Sequence, residues 1–287
     1  MNQIYLHRSY ITSNEELFRK AWEYGFQGVE TNAPGLNPAD DISQVADELA
    51  RLKEEWFVQG IALHFPMNLI TDDKWPDRNA TFDRMGKAFK TASEKLDVKV
   101  FNTMAAGALI PAGNAYTNYA KNGSAAANET HWARAVEMLK TACDLAAEYH
   151  ITLALETHGC LIHDLPEPTL KLLSLVAKPN LKINLDLPNM VLSRDNLIPP
   201  AELEPLLPLT GHVHLKNLRM VIGGGYLLEG VGGGIIDYKP LFQRLQAVGY
   251  KGKYSLEFPG RYSDMDKAVK TDIEFVKKLQ LEAFGSL

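Results

Sequence analysis

Four apolar runs each deliver one ionisable side chain as they end. Glu156 closes "ITLALE" (151–156) and Asp186 closes "LKINLD" (181–186). His214 lies near the end of "HVHLK" (212–216), and Glu257 near the end of "KYSLEF" (253–258). Taken singly, such a carboxylate can cap the next helix or pair with an arginine. Four on successive runs call for a joint explanation. Three carboxylates brought to one place repel and resist ionisation. A divalent cation removes that difficulty. Three oxygen donors and one imidazole suit manganese(II), magnesium or cobalt(II) in six-fold coordination. A closed structural zinc site prefers cysteine and histidine. The expectation is one divalent ion per chain, manganese(II) first, held by Glu156, Asp186, His214 and Glu257. Such a site leaves about two positions for adjacent substrate oxygens.

The four residues can meet only if their strands share one mouth. Further short apolar runs are "IYL" (4–6), "GVET" (28–31), "IALHF" (61–65) and "VKVFNT" (98–103), which makes eight in all. Amphipathic stretches alternate with them. Ser13 and Glu16 form a capping box that opens "NEELFRKAWEYG", and Gly25 stops it. "ISQVADELARLKEEW" and "HWARAVEMLKTACDLAAEY" space apolar residues at three and four. "PEPTLKLLSLVAK" is a helix, "PAELEPLL" a short proline-rich one, and "LPN" after Asp186 reads as a proline turn. Eight strand-then-helix units predict an α/β fold, a single (β/α)8 TIM barrel over residues 1–287. An open doubly wound sheet often carries a glycine-rich loop after its first strand; "LHRSYITS" has no glycine.

Composition narrows the partners. The net charge of −5 lacks the basic excess that nucleic acid or an anionic membrane requires. Only two cysteines occur, Cys143 and Cys160, without a CxxC, which fits reduced thiols and a cytoplasmic setting. No stretch of about 18 apolar residues is present, and the first ten residues lack a charged-then-apolar leader. Two segments exceed ordinary loop length, 105–129 and 219–237, the latter with glycine triplets at 223–225 and 232–234. Both follow strands, so both are expected at the catalytic mouth as a lid.

The chain resembles the xylose isomerase-like barrel superfamily of sugar-phosphate isomerases and epimerases, which also includes endonuclease IV-type apurinic-site nucleases. "EYGFQGVET", "LALETHG", "INLDLPN", "GHVHLKN" and "VGYKGKYSLEF" carry the resemblance, in that order. It implies that Glu156, Asp186, His214 and Glu257 bind one divalent metal. It also implies that Glu156 and Glu257 act as base and acid on opposite faces of a bound sugar. The implied function is a metal-dependent isomerase or epimerase of a small carbohydrate, working by proton removal beside a carbonyl. The alternative is a lyase or dehydratase eliminating a group from a 3-keto sugar, keto-inositol or glycoside. A non-catalytic sugar-binding subunit is a third reading. The resemblance also implies self-association into a homo-oligomer.

The sequence departs from the family pattern in two places. Many relatives place a histidine three residues after the strand-six aspartate; here it is Asn189, which hydrogen-bonds but does not shuttle protons. The nuclease pattern wants Asp-x-His after strand seven; here Asp237 is followed by Tyr238 and Lys239. A three-metal nuclease site is therefore not expected. His64, His158, Asn189, Lys216 and Arg219 are the substrate-binding candidates. Lys216 is placed to polarise a carbonyl. Arg261 could hold an anion, His212 is expected behind His214, and Glu30 either orients a neighbour or touches substrate.

Overall fold

The computed structural model describes residues 1–9, 11, 13–105, 109–110, 119–257 and 264–284. The barrel strands are β1 (Ile4–His7), β2 (Gly28–Asn32), β3 (Gly60–His64), β4 (Val100–Thr103), β5 (Thr152–Glu156), β6 (Leu181–Asp186) and β7 (Thr210–Leu215). A short hairpin follows, β8 (Asn217–Met220) and β9 (Tyr226–Glu229), before the last barrel strand, β10 (Lys253–Leu256). All eight barrel strands run parallel and close on one another, β1 pairing with both β2 and β10. The helices are α1 (Asn14–Glu23), α2 (Ile42–Glu55), α3 (Arg78–Leu96), α4 (Glu129–Ala147), α5 (Pro166–Val176), α6 (Leu187–Arg194), α7 (Pro200–Leu203), α8 (Tyr238–Ala247) and α9 (Met265–Phe284). The fold is thus the expected single (β/α)8 barrel.

Local chemistry explains the elements. Ser13 caps α1 by accepting the Glu16 amide at 3.2 Å. Asp41 and Asn128 cap α2 and α4 in the same way, each relieving an orphan donor of the first turn. Strands buried on both faces need near-continuous apolar runs, and Leu153, Leu155, Ile183, Leu185, Val213 and Leu215 are all buried. Gly28 and Gly60 let the Tyr5 side chain approach β2 and β3. A Cβ at Gly28 would lie 2.3 Å from the Tyr5 ring, and one at Gly60 2.1 Å from its hydroxyl.

Two expectations need correction. "LPN" does not form a turn; it opens α6 directly from β6. Asp186 is the N-cap, accepting the Asn189 amide at 3.1 Å, and Pro188 sits in the first turn, where its missing N–H costs nothing. The segment 219–237 is not a free glycine loop either. Its first part is the β8–β9 hairpin, paired antiparallel from Asn217–Glu229 to Met220–Tyr226. Gly223, Gly224 and Gly225, all at positive φ, form its tip. Much of the other expected lid, including 111–118, lies outside the described residues, as does Arg261.

Candidate active site

Barrel register brings the four strand-end residues together. Asp186 stands opposite His214 across the β6–β7 ladder, and Glu156 opposite Asn184 across β5–β6. The Glu257 amide extends the β10 ladder by one step, donating to the Leu215 carbonyl at 3.0 Å. A register shift between Ile183 and Asn184 precedes the site, an irregularity of the kind that re-aims side chains near active sites. One ligand-type atom from each of Glu156, Asp186, His214 and Glu257 lies within 4.8 Å of the others.

His214 is the pivot. Its Nε2 lies 3.1 Å from each oxygen of Glu30, so Nε2 carries a proton and donates it. Its Nδ1 is buried without a hydrogen-bond partner. That nitrogen points among three carboxylate oxygens, 3.3 Å from Glu257, 3.6 Å from Glu156 and 3.8 Å from Asp186. An orphaned ring nitrogen inside a carboxylate triangle is the arrangement that a divalent cation completes. A carboxylate on the far nitrogen fixes the ring, as metal-binding histidines require. The residues present therefore fit one such ion.

The charges are strongly coupled. Burial alone would push the Glu156 carboxyl up, but the neighbouring His214 outweighs it and holds it down at about 2. Burial also opposes ionisation of Glu257, yet Lys216 and His214 hold it well below the usual carboxylate range. Asp186 behaves otherwise: burial pushes it up to about 6 against the pull of Lys216. Burial would lower His214, but Glu30 and Glu156 raise it well above an ordinary imidazole. Lys216 is buried, with Nζ 2.5 Å from Asp186 and 2.7 Å from Glu257. Those anions override its burial and keep it charged.

The other candidates divide. Asn189 is buried in the site and donates to Glu156 Oε1 at 3.2 Å and to the Thr157 carbonyl at 3.2 Å. His158 is half-buried; its Nδ1 lies 2.7 Å from the Gly159 carbonyl, so it donates there and leaves Nε2 the lone pair. His64 ends β3 with Nε2 buried and unpaired. Burial lowers its pKa, against the attraction of Glu156 and Glu30. Arg219 is a correction. It lies on β8 with an exposed side chain 3.3 Å from Glu229, because hairpin pairing puts the two directly within reach. Asp237, the nuclease-pattern position, caps α8 by accepting the Lys239 amide at 3.0 Å.

Glu30 and His212 were already named from the sequence; Asn102, Asn184, Ser255 and His7 escaped that reading. Glu30 is fully buried beneath His214, and it also accepts from Asn102 Nδ2 at 2.5 Å and faces His212 Nε2 at 3.1 Å. Burial opposes its charge, but His214 and His212 hold its carboxyl well below the usual range. Its oxygens are thereby committed, although His7, Glu30 and His214 also approach metal-ligand spacing. His212 Nε2 lies 2.8 Å from Ser255 Oγ, and the Asn184 amide 3.0 Å from His214 Nε2. His7 ends β1 with its ring 5.2 Å from that of His214, and burial lowers it to about 4. Alternation, which put His212 on the face of His214, could also have found two of these: Asn184 lies two before Asp186, and Ser255 two before Glu257.

Similar proteins are known. A 3-dehydroshikimate dehydratase of Bacillus anthracis is 34% identical over 216 residues, 74% of this chain and 69% of that protein. An inosose dehydratase of Klebsiella pneumoniae is 30% identical over 167 residues, 53% of this chain and 54% of that one, about half of its length. Among solved structures, an L-ribulose 3-epimerase superposes with a TM-score of 0.72 at 17% identity, over 99% of this chain and 96% of that one. A barrel from Mycobacterium smegmatis in complex with magnesium gives 0.73 at 18% identity, over 94% and 89%. At such identities these structures speak for the fold. Residues 18–279 match the xylose isomerase-like TIM barrel, and the chain belongs to that family.

Proposed function

We propose that this protein is a divalent-metal-dependent lyase that removes water from a cyclic, polyhydroxylated ketone. The relatives named as dehydratases support the reaction class. The observation that carries the reading is that both carboxylate arms of the site are held by neighbours, which leaves His158 as the proton-exchanging group. Glu257 is clamped by the Lys216 ammonium at 2.7 Å. Glu156 is held by the amide of Asn189 at 3.2 Å, with His158 two residues on. Epimerisation is easiest with two proton-exchanging groups on opposite faces. Elimination from one face needs only one such group.

Glu156, Asp186, His214 and Glu257 would hold the metal; manganese(II) or magnesium suits this donor set. When bound, it supplies Lewis acidity for a carbonyl and an adjacent hydroxyl oxygen. His158 Nε2, the lone-pair nitrogen of a ring whose Nδ1 donates to Gly159, removes the proton beside the ketone. The C–H electrons become the new C=C bond, and the β-hydroxyl leaves with the proton that His158 has taken. The fixed positive charge of Lys216 opposes the negative charge that grows on the carbonyl oxygen. Asn189 positions Glu156 through its amide N–H and shuttles no proton. His64 offers Nε2 to a substrate hydroxyl.

The test is incubation with 3-dehydroshikimate, an inosose and ketohexoses in deuterium oxide, with manganese(II) or magnesium supplied. Loss of water from a cyclic ketone, seen by NMR and by growth of conjugated absorbance, is expected. Conversion of a ketohexose to its epimer, with solvent deuterium at the inverted carbon and no dehydration of either ring ketone, would establish the epimerase reading instead.

A further inference from the structure

Thr157 stands between Glu156, one of the clustered carboxylates, and His158. It is fully buried, and each of its polar groups is engaged. Its amide donates to the Asn184 carbonyl at 3.0 Å, which carries the β5–β6 ladder one step past Glu156. Its carbonyl accepts from Asn189 Nδ2 at 3.2 Å, the same amide group that holds Glu156 Oε1. Its hydroxyl accepts the Asp186 amide at 2.8 Å and donates to the Asp186 carbonyl at 3.1 Å.

That hydroxyl occupies a place in the ladder that belongs to the main chain. Parallel strands exchange evenly spaced bonds, a residue donating to one partner and accepting from the residue two positions beyond it. Leu153 and Thr157 donate to Asn180 and Asn184 in this pattern. The next rung would join the Asp186 amide to the Thr157 carbonyl. Instead Oγ1, as near to its Cα as the carbonyl oxygen is, receives that amide and returns its own proton to the Asp186 carbonyl. A hydroxyl can do both, being donor and acceptor at once. The freed carbonyl goes to Asn189. One side chain thus ties the last rung at the point where Glu156 ends β5 and Asp186 ends β6.

We propose that Thr157 is the positioning residue of the metal site, its hydroxyl fixing the separation of the Glu156 and Asp186 carboxylates and the start of the loop that carries His158. This rests on the reading of Glu156, Asp186, His214 and Glu257 as the ligands. Oxygen ligands sit about 2.0–2.6 Å from an ion of this class. A strand end displaced by about 1 Å therefore takes its carboxylate out of reach. Asp186 is the more constrained of the two. Its amide and carbonyl are both held by Thr157, and its Oδ1 is held by the Asn189 amide, so its Oδ2 is presented in one direction only, beside Lys216 and His214. Thr157 touches neither carboxylate; it acts through the main chain that carries them.

Calorimetric titration of the whole chain with manganese(II), beside electron paramagnetic resonance of the bound ion, tests this. Thr157→Val keeps the shape and removes the hydroxyl. It is expected to raise the manganese dissociation constant by about 10–100-fold, the usual effect of losing a group that orients metal ligands. The resonance of the bound ion should change with it. Thr157→Ser restores the hydroxyl and is expected to bind as the wild type does. Thr157→Ala also lacks the hydroxyl and is read in place of Thr157→Val should that variant not fold. Thr210 supplies the control: at the start of β7 its buried hydroxyl donates to the Leu206 carbonyl at 3.0 Å, and Thr210→Val is expected to leave manganese affinity unchanged. Wild-type affinity in a folded chain without the Thr157 hydroxyl, a tenfold loss in Thr157→Ser, or an equal loss in Thr210→Val would each overturn the proposal while leaving the metal site standing. A wild-type chain that binds no divalent ion would overturn the metal site, and the role of Thr157 with it.

Discussion

Asp186 fills both roles open to a strand-end carboxylate. Its Oδ1 caps α6, and its Oδ2 faces Lys216 and His214. The two roles separate by substitution. Asp186→Asn keeps an oxygen for the cap and removes the charge, so metal affinity should fall sharply while the unfolding midpoint barely moves. Asp186→Ala should lose metal and a further ~1 kcal/mol of stability, the usual cost of a lost N-cap. Calorimetric metal titration beside thermal melts distinguishes the two. His214 sets the pH behaviour of the same site. Because its pKa is raised, protons and metal compete for Nδ1. Metal binding should therefore release a proton, and apparent affinity should rise by about tenfold per pH unit while His214 remains protonated. Affinity independent of pH between 6 and 8 (about the middle of the imidazole range) would remove His214 from the ligand set. For His158, replacement by Asn should slow solvent-deuterium exchange into a bound ketone by about a hundredfold or more. Metal occupancy should be unchanged, because His158 is not among the clustered ligands.

At the scale of elements, β-strand register decides which side chains meet. His212 and His214 share one face of β7. The first contacts Ser255 and Glu30 inside the barrel, and the second reaches the carboxylate triangle above. The far end of the barrel depends on close approach instead. Tyr5 on β1 lies over β2 and β3 because both start with glycine. Gly60→Ala would place a methyl 2.1 Å from the Tyr5 hydroxyl. It should cost about 1–3 kcal/mol through overpacking. Removing that hydroxyl with Tyr5→Phe in the same chain should recover part of the loss. Urea unfolding of the single and double variants reads this as a coupling, and strictly additive losses would mean the contact does not carry the strain.

Across the whole molecule, the buried acids pull stability in opposite directions with pH. Glu30, Glu156 and Glu257 have depressed pKa values, so their contribution is present above the unfolded carboxylate range and lost on acidification. Asp164 behaves oppositely. Burial pushes it up to about 6, with the Ser124 side chain and amide pulling the other way. Its stabilising contribution is full below 3.8, the unfolded value, and fades as pH rises through about 6. Asp164→Asn can still accept the Ser124 amide without burying a charge. It should stabilise the protein at pH ~7.5 by up to about 3 kcal/mol, from two pKa units, and by little near pH ~4. Equal melting shifts at both pH values would show that Asp164 is not a buried carboxylate of this kind. Both cysteines are buried and outside any disulfide among the described residues, and burial raises the thiols to about 12 for Cys143 and about 11 for Cys160. Among the described residues no helix is long and apolar enough to cross a membrane.

The order of apolar runs and amphipathic stretches was sufficient for the barrel, because strand and helix periodicities are local properties of the chain. The four clustered residues were legible for a related reason. A charge at the end of an apolar run is conspicuous, and parallel closure sends every strand end to one mouth. What lies beneath them was legible only in part. Glu30 and His212 stood out in the sequence, but Asn102, Asn184 and Ser255 are ordinary polar residues there; only neighbours across the barrel, such as His212 at 182 positions from Glu30, make them a network. Arg219 shows the reverse. A cation just past a catalytic strand promises an anion site, until antiparallel pairing gives it Glu229 as a partner. The hairpin itself was hidden because glycine triplets fit a tight turn and a loose loop equally well. Strand pairing between residues six or more apart is a property of the folded chain, and only there does Ile222 become an exposed apolar tip.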